Sequence, residues 1–187
     1  MNIKQFFLES QKLNELFISE NHDNLIKVIE IMLLAIKKWK KIYIAWNGGS
    51  AADSVHFAAE LIGRYKLNRN AIGAISLSSD VSVITAIGND YGFEYIFSRQ
   101  IEWLWEEGDI FIWFSTSGMS KNILNAMIKS QSKWMINIGI LGNDGGSILA
   151  YCDYSLVVRS NNTPRIQEIH TIIYHSICEE IEYQLFT

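Results

Sequence analysis

The residues best suited to chemistry begin with His56 and Glu60. They stand at i and i+4, a spacing that puts an imidazole and a carboxylate on one face of a helix. Such a pair can do acid/base work or hold a metal, and it can also simply stabilise its helix. Just upstream, the apolar run Ile42–Trp46 leads into Asn47-Gly48-Gly49-Ser50. A strand, a glycine turn and a helix start make an anion site, because free N–H groups and the helix dipole converge there. Ser50 can cap that helix or offer its hydroxyl to a ligand. A plain strand–helix turn would read the same way. A second cluster, Ser115, Thr116, Ser117 and Ser120, places four hydroxyls around Gly118. A helix cap needs only one of them, whereas hydroxyls and backbone amides together can hold a phosphate. No nucleotide-type glycine motif occurs, so a small phosphorylated metabolite is the expected ligand.

Near the C-terminus come Gln167, Glu168, His170 and His175. At about 100° per residue, Gln167 and His175 are separated by roughly 80° around a helix. His170 lies about 60° to the other side of Gln167. The two histidines are therefore about 140° apart and do not aim at one point. Either one, with His56, Glu60 and Gln167, would complete a group suited to zinc; the spacing leaves the choice open.

Periodicity supplies the elements that must position these groups. Residues 3–20 and 22–39 read as two amphipathic helices, the second with a wide apolar stripe. Ala71–Leu77, Ile110–Phe114, Met135–Leu141 and Leu156–Val158 read as further strands, separated by helical stretches. The five apolar residues from Ile110 to Phe114, without alternation, predict a central strand buried on both faces. A last helix runs from about Pro164 to Leu185, with proline where a missing N–H is harmless. Alternating strands and helices predict a parallel sheet covered on both sides, with ligands bound beyond the carboxyl ends of the strands.

Composition excludes several classes. A net charge of −4 over 187 residues gives no electrostatic case for nucleic acid or an anionic membrane as main partner. No apolar run approaches the roughly 20 residues of a membrane span. Lys4 and Glu9 interrupt any signal-like N-terminus, and Cys152 and Cys178 form neither a metal spacing nor a disulfide framework. A cytoplasmic protein is expected. No linker or repeat divides the chain, so one domain is expected over residues 1–187, with N-terminal helices over 1–40 and an α/β core over 41–187.

The segments NGGSAAD, HFAAEL, AIGNDYG, FSTSGMSKNIL, LGNDGG and TPRIQEIH, in this order, resemble the phosphoheptose isomerases, built on the sugar isomerase (SIS) domain. The resemblance runs from about residue 41 to the C-terminus. It implies a three-layer α/β/α sandwich with a five-stranded parallel sheet of flavodoxin-like type, and a homotetramer with active sites at subunit interfaces. It further implies one zinc ion per subunit on His56, Glu60, Gln167 and His175, thus choosing His175 over His170. It makes Glu60 the general base and His175 the general acid. Asn47, Gly48, Gly49, Asn89, Asp90 and Thr116 match substrate-contacting positions, as do Glu60 and Gln167. Ser50, Ser115, Ser117 and Ser120 match the phosphate site. The activity implied is conversion of sedoheptulose 7-phosphate to glycero-manno-heptose 7-phosphate, the first step toward activated heptose for a surface polysaccharide.

The sequence also departs from the family. Trp46 replaces a usual glycine, Met119 a common asparagine, and Trp113 and Phe114 smaller residues. Packing is the expected role of Trp46, and altered sugar preference the sharper alternative. Two rivals follow: a non-catalytic binding protein on the same fold, and an isomerase or lyase for another sugar phosphate. Retention of Glu60 and His175 argues against the first.

Overall fold

The apolar runs are five strands of one parallel sheet. In the computed structural model, which describes residues 2–187, these are β1 (Ile42–Ala45), β2 (Ala74–Ser76), β3 (Ile110–Ser115), β4 (Ile136–Gly142) and β5 (Tyr154–Val158). Their spatial order is β2-β1-β3-β4-β5, and every pairing is parallel. The helices are α1 (Ile3–Lys37), α2 (Ala51–Ile62), α3 (Val81–Asp90), α4 (Ser98–Leu104), α5 (Lys121–Gln131) and α6 (Thr163–Phe186). β2 is shorter than the predicted Ala71–Leu77, with three residues paired to β1 at the sheet edge.

Successive side chains of a strand point to opposite faces, and this divides the core into two layers. Ile42, Ile44, Trp46, Ile110, Ile112 and Phe114 pack beneath α1, α2 and α6. Tyr43, Ala45, Phe111 and Trp113 pack on the other face with Ile101 of α4 and Ile123 and Met127 of α5. β3 is buried at every position, as its unbroken apolar run predicted. Trp113 sits opposite Gly139 of β4. A Cβ on Gly139 would lie 2.8 Å from the indole, so this glycine provides the space the ring fills.

The two predicted leading helices are one helix, α1, 35 residues long. The polar stretch between them contains no glycine or proline to end a helix. Asn21, within that stretch, is buried, and its amide brackets the backbone of edge strand β5. It accepts from Val157 N (3.1 Å) and donates to Val157 O (3.2 Å). The polar residue that looked like a break is a contact that covers an open sheet edge.

From β1 the chain moves to β2 on one side, then returns to place β3 on the other. The strand order therefore reverses between β1 and β3. The crevice beyond the carboxyl ends of two such strands is the usual ligand site of an open α/β sheet. The Asn47–Ser50 turn leaves β1 there, and the Thr116–Ser120 loop leaves β3 beside it.

Candidate active site and metal centre

Helix α2 starts directly after the glycine turn and buries Ser54, Phe57, Ala58 and Leu61. Its other face carries His56 and Glu60, whose Nε2 and Oε1 are 2.9 Å apart. Helix α6 packs alongside and brings His175 to the same point. One ligand atom from each of His56, Glu60 and His175 lies within 4.8 Å of the others. The imidazoles of His56 and His175 meet edge to face at 5.2 Å, and Tyr65 stands 5.6 Å from His175. Burial, with His56 alongside, holds the His175 imidazole below its usual pKa, against the opposing pull of Glu60 and Asp53. A neutral imidazole is the form that ligates metal. Two imidazoles and a carboxylate converging from two helices are a donor set that fits a borderline divalent ion such as zinc.

Behind His56 lies a polar chain. Tyr174 O–H is 3.1 Å from His56 Nδ1 and donates to Asp53 Oδ1 at 3.5 Å. Burial pushes the Tyr174 phenol up to about 12, so it remains a hydroxyl. Burial also raises the Asp53 carboxyl, against the Tyr174 hydrogen bond and the nearby histidines. With Tyr174 donating to Asp53, His56 can place its proton on Nδ1 and leave Nε2 free to ligate, the usual task of groups behind a metal-binding histidine.

His170 goes elsewhere. It is fully buried, 5.0 Å from the Trp46 ring and 5.6 Å from Phe114, and burial lowers its pKa to about 4. Trp46 and Phe114 are stacked at 4.0 Å with their planes 4° apart. The aromatic departures Trp46, Trp113 and Phe114 are thus core residues, whereas Met119 is exposed on the serine loop. Gln167 donates to the Ser50 hydroxyl, tying α6 to the glycine turn. Ser50 makes no capping bond to α2, contrary to one of its expected roles; its hydroxyl is engaged by Gln167 instead.

The two predicted cradles are joined by a pair the sequence did not signal. Asn47 and Asn122 exchange side-chain hydrogen bonds of 2.9 and 2.7 Å, which fastens the glycine turn to the start of α5. Ser115 is buried and accepts from Gly118 N at 2.9 Å, shaping its loop from within. Gly118, at φ +65°, packs backbone to backbone on the Gly145-Gly146 turn, and a Cβ there would lie 2.3 Å from Gly145 O. Ser120 precedes α5 without spending its hydroxyl on a cap. Asn89 and Asp90 lie on the exposed last turn of α3, bonded to each other at 2.8 Å.

A model of the SIS domain family matches residues 5–142. The phosphoheptose isomerase of a Nitratiruptor species is 48% identical over 181 residues, 97% of each chain. The chain belongs to the phosphoheptose isomerase family. Phosphoheptose isomerase 1 of Campylobacter jejuni is 51% identical over 83% of this chain and 84% of its own. Among solved structures, the phosphoheptose isomerase of Neisseria gonorrhoeae superposes with a TM-score of 0.91 at 36% identity, over 97% of both chains. That of Francisella tularensis gives 0.93 at 32% identity, over 97% of this chain and 96% of its own. The five-stranded parallel sheet with helices on both faces is therefore the family's fold.

Proposed function

We propose that the chain is an aldose–ketose isomerase that converts sedoheptulose 7-phosphate to D-glycero-D-manno-heptose 7-phosphate. The observation that carries this reading is the convergence of Glu60 and His175, together with His56, from the two helices α2 and α6. The family relationship gives the substrate. The reaction moves a proton from C1 to C2 and a second one between the two oxygens. The Glu60 carboxylate takes the C1 proton and returns it to C2. His175 carries a proton between O1 and O2, so an enediol forms and collapses without net gain or loss. Each such acid/base group contributes about 10²–10⁴-fold.

Gly48, Gly49, Asn47 and Thr116 contact the sugar, and Ser50, Ser115, Ser117 and Ser120 hold the phosphate. Asn89 and Asp90 are further substrate contacts. Binding the distant phosphate contributes orientation at the reacting carbons. His56, Glu60, Gln167 and His175 would hold one zinc ion per subunit, which when bound supplies polarisation of the carbonyl. We further propose a cytoplasmic homotetramer acting at the first step of activated heptose synthesis for a surface polysaccharide. Among the described residues, no helix is long and apolar enough to cross a membrane.

Turnover of sedoheptulose 7-phosphate by purified, zinc-loaded protein tests the reading. Glu60→Gln should lower kcat at least ~100-fold while the far-UV spectrum is unchanged, and the wild type should incorporate solvent deuterium at the heptose C2. No turnover by folded, zinc-loaded protein would overturn the assignment, and a panel of other sugar phosphates would then separate a different isomerase from a binding protein.

A further inference from the structure

Glu182 and Arg69 form an ion pair that neither the spacing of the motifs nor the proposed chemistry uses. Their side chains are 3% and 1% exposed, and Arg69 Nε donates to Glu182 Oε1 at 2.8 Å. The carboxylate also accepts the backbone N–H groups of Tyr65, Lys66 and Leu67, each at 2.8 Å. The guanidinium donates to the carbonyls of Glu60 (2.8 Å), Leu61 (2.9 Å) and Asn70 (3.0 Å). The first two belong to the last turn of α2, where helix carbonyls have no intrahelical partner; Leu61 O also accepts from Ile72 N at 3.1 Å. Glu182 follows His175 by seven positions, two turns of α6, so both lie on one face of that helix.

We propose that Arg69 and Glu182 are positioning residues: a buried clamp that fixes the last turn of α2, carrying Glu60, against the face of α6 that carries His175. The inference rests on reading His56, Glu60 and His175 as a metal-holding catalytic group. Stability alone does not account for the pair, because buried ion pairs are often no better than apolar side chains of the same volume. Its directed hydrogen bonds are what an apolar pair lacks. They join Glu60's own peptide unit, and the segment that follows it, to a single point on α6. Bidentate and forked contacts of this kind specify geometry as well as energy. Catalytic and metal-binding groups are sensitive to displacements of about 1 Å.

Arg69→Lys keeps a charge but loses the fork to the two α2 carbonyls; Glu182→Gln keeps shape but loses the carboxylate. Ile101→Ala, in the opposite core layer, serves as a comparison that lowers stability without touching either helix. Zinc affinity by chelator competition, the absorption spectrum of the cobalt-loaded protein, kcat and KM are measured for all four proteins below their melting temperatures. Zinc affinity should fall about 10- to 100-fold in both clamp variants, with an altered cobalt spectrum and a larger change in kcat than in KM. Ile101→Ala should show a lowered Tm alone. Clamp variants with zinc affinity and kcat within twofold of the wild type would overturn the clamp, as would failure of both to fold, which would make the pair a folding determinant. A wild type that binds no zinc and turns over no heptose phosphate would instead overturn the reading of the site.

Discussion

Tyr174 shows what one residue adds to a metal-ligand set. Its hydroxyl stands between Asp53 and His56 Nδ1 and so selects which imidazole nitrogen faces the centre. Tyr174→Phe removes that selection with little change in shape, and zinc affinity at neutral pH should fall about tenfold. The pH dependence follows from His175. Its pKa is held below the usual 6.5, and protons compete with metal for it. Wild-type affinity should fall as the pH drops and protons take the imidazoles from the metal. Chelator competition across about pH 5–8 checks both statements; equal affinity in Tyr174→Phe would remove the tautomer argument. The i, i+4 spacing makes His56 and Glu60 legible in the sequence, because helix geometry is local. The choice between His170 and His175 is not legible from spacing, since it depends on which face of α6 meets the Trp46–Phe114 pair. The roles of Asp53, Tyr174 and Asn122 cannot be read from spacing, because their partners lie 75 to 121 residues away in the chain.

At the scale of elements, the central strand and the span of α6 are legible, whereas the continuity of α1 is not. An unbroken apolar run locates β3, because burial on both faces leaves no alternation. The join between the two predicted leading helices reads as a break, because the use of Asn21 depends on a strand 136 residues away. The ends of α1 and α5 carry no capping glycine. Both helices are followed by a tryptophan in the left-handed region, Trp39 at φ 59° and Trp134 at φ 52°. Each lies where a chain usually places glycine or asparagine. Their N–H groups close the helices, Trp39 to Ile36 O and Trp134 to Gln131 O. The indoles are 88% and 72% exposed, so little burial compensates the backbone cost. Trp39→Gly and Trp134→Gly should each stabilise the protein by about 1 kcal/mol, the left-handed penalty offset in part by glycine's greater freedom when unfolded. For a chain of this size that is a rise of about 2–4 °C in Tm. Thermal melts of the two variants check it, and a lowered Tm would mean that the indoles are covered in the assembled protein.

At the scale of the whole molecule, α1 raises the question of what its outer side meets. Leu13, Phe17, Val28, Ile29, Met32 and Ala35 are buried against the chain's own sheet and α6. Phe6, Phe7, Leu16, Ile18, Ile26 and Leu34 remain exposed on the same helix. A helix apolar on more than one side is normally buried on more than one side. Ile18, Leu25, Ile26, Ile29 and Leu33 also line a groove of about 570 Å³ along α1 and α6. The width of the apolar stripe is readable in the sequence; what covers it is not, since a partner copy leaves no mark in one chain's periodicity. The proposed tetramer supplies the covering. Light scattering at micromolar concentration should therefore give a mass four times that of the 21.4 kDa chain. Ile26→Asp places a charge on this face and should yield smaller species, because an unpaired buried charge opposes association strongly. Activity should fall with the tetramer if the sites lie at its interfaces, and full activity in a dissociated Ile26→Asp variant would show that each chain carries a complete site. A wild-type monomer at that concentration would leave the exposed face of α1 without the partner proposed for it, and the interface location of the active site would fall with it.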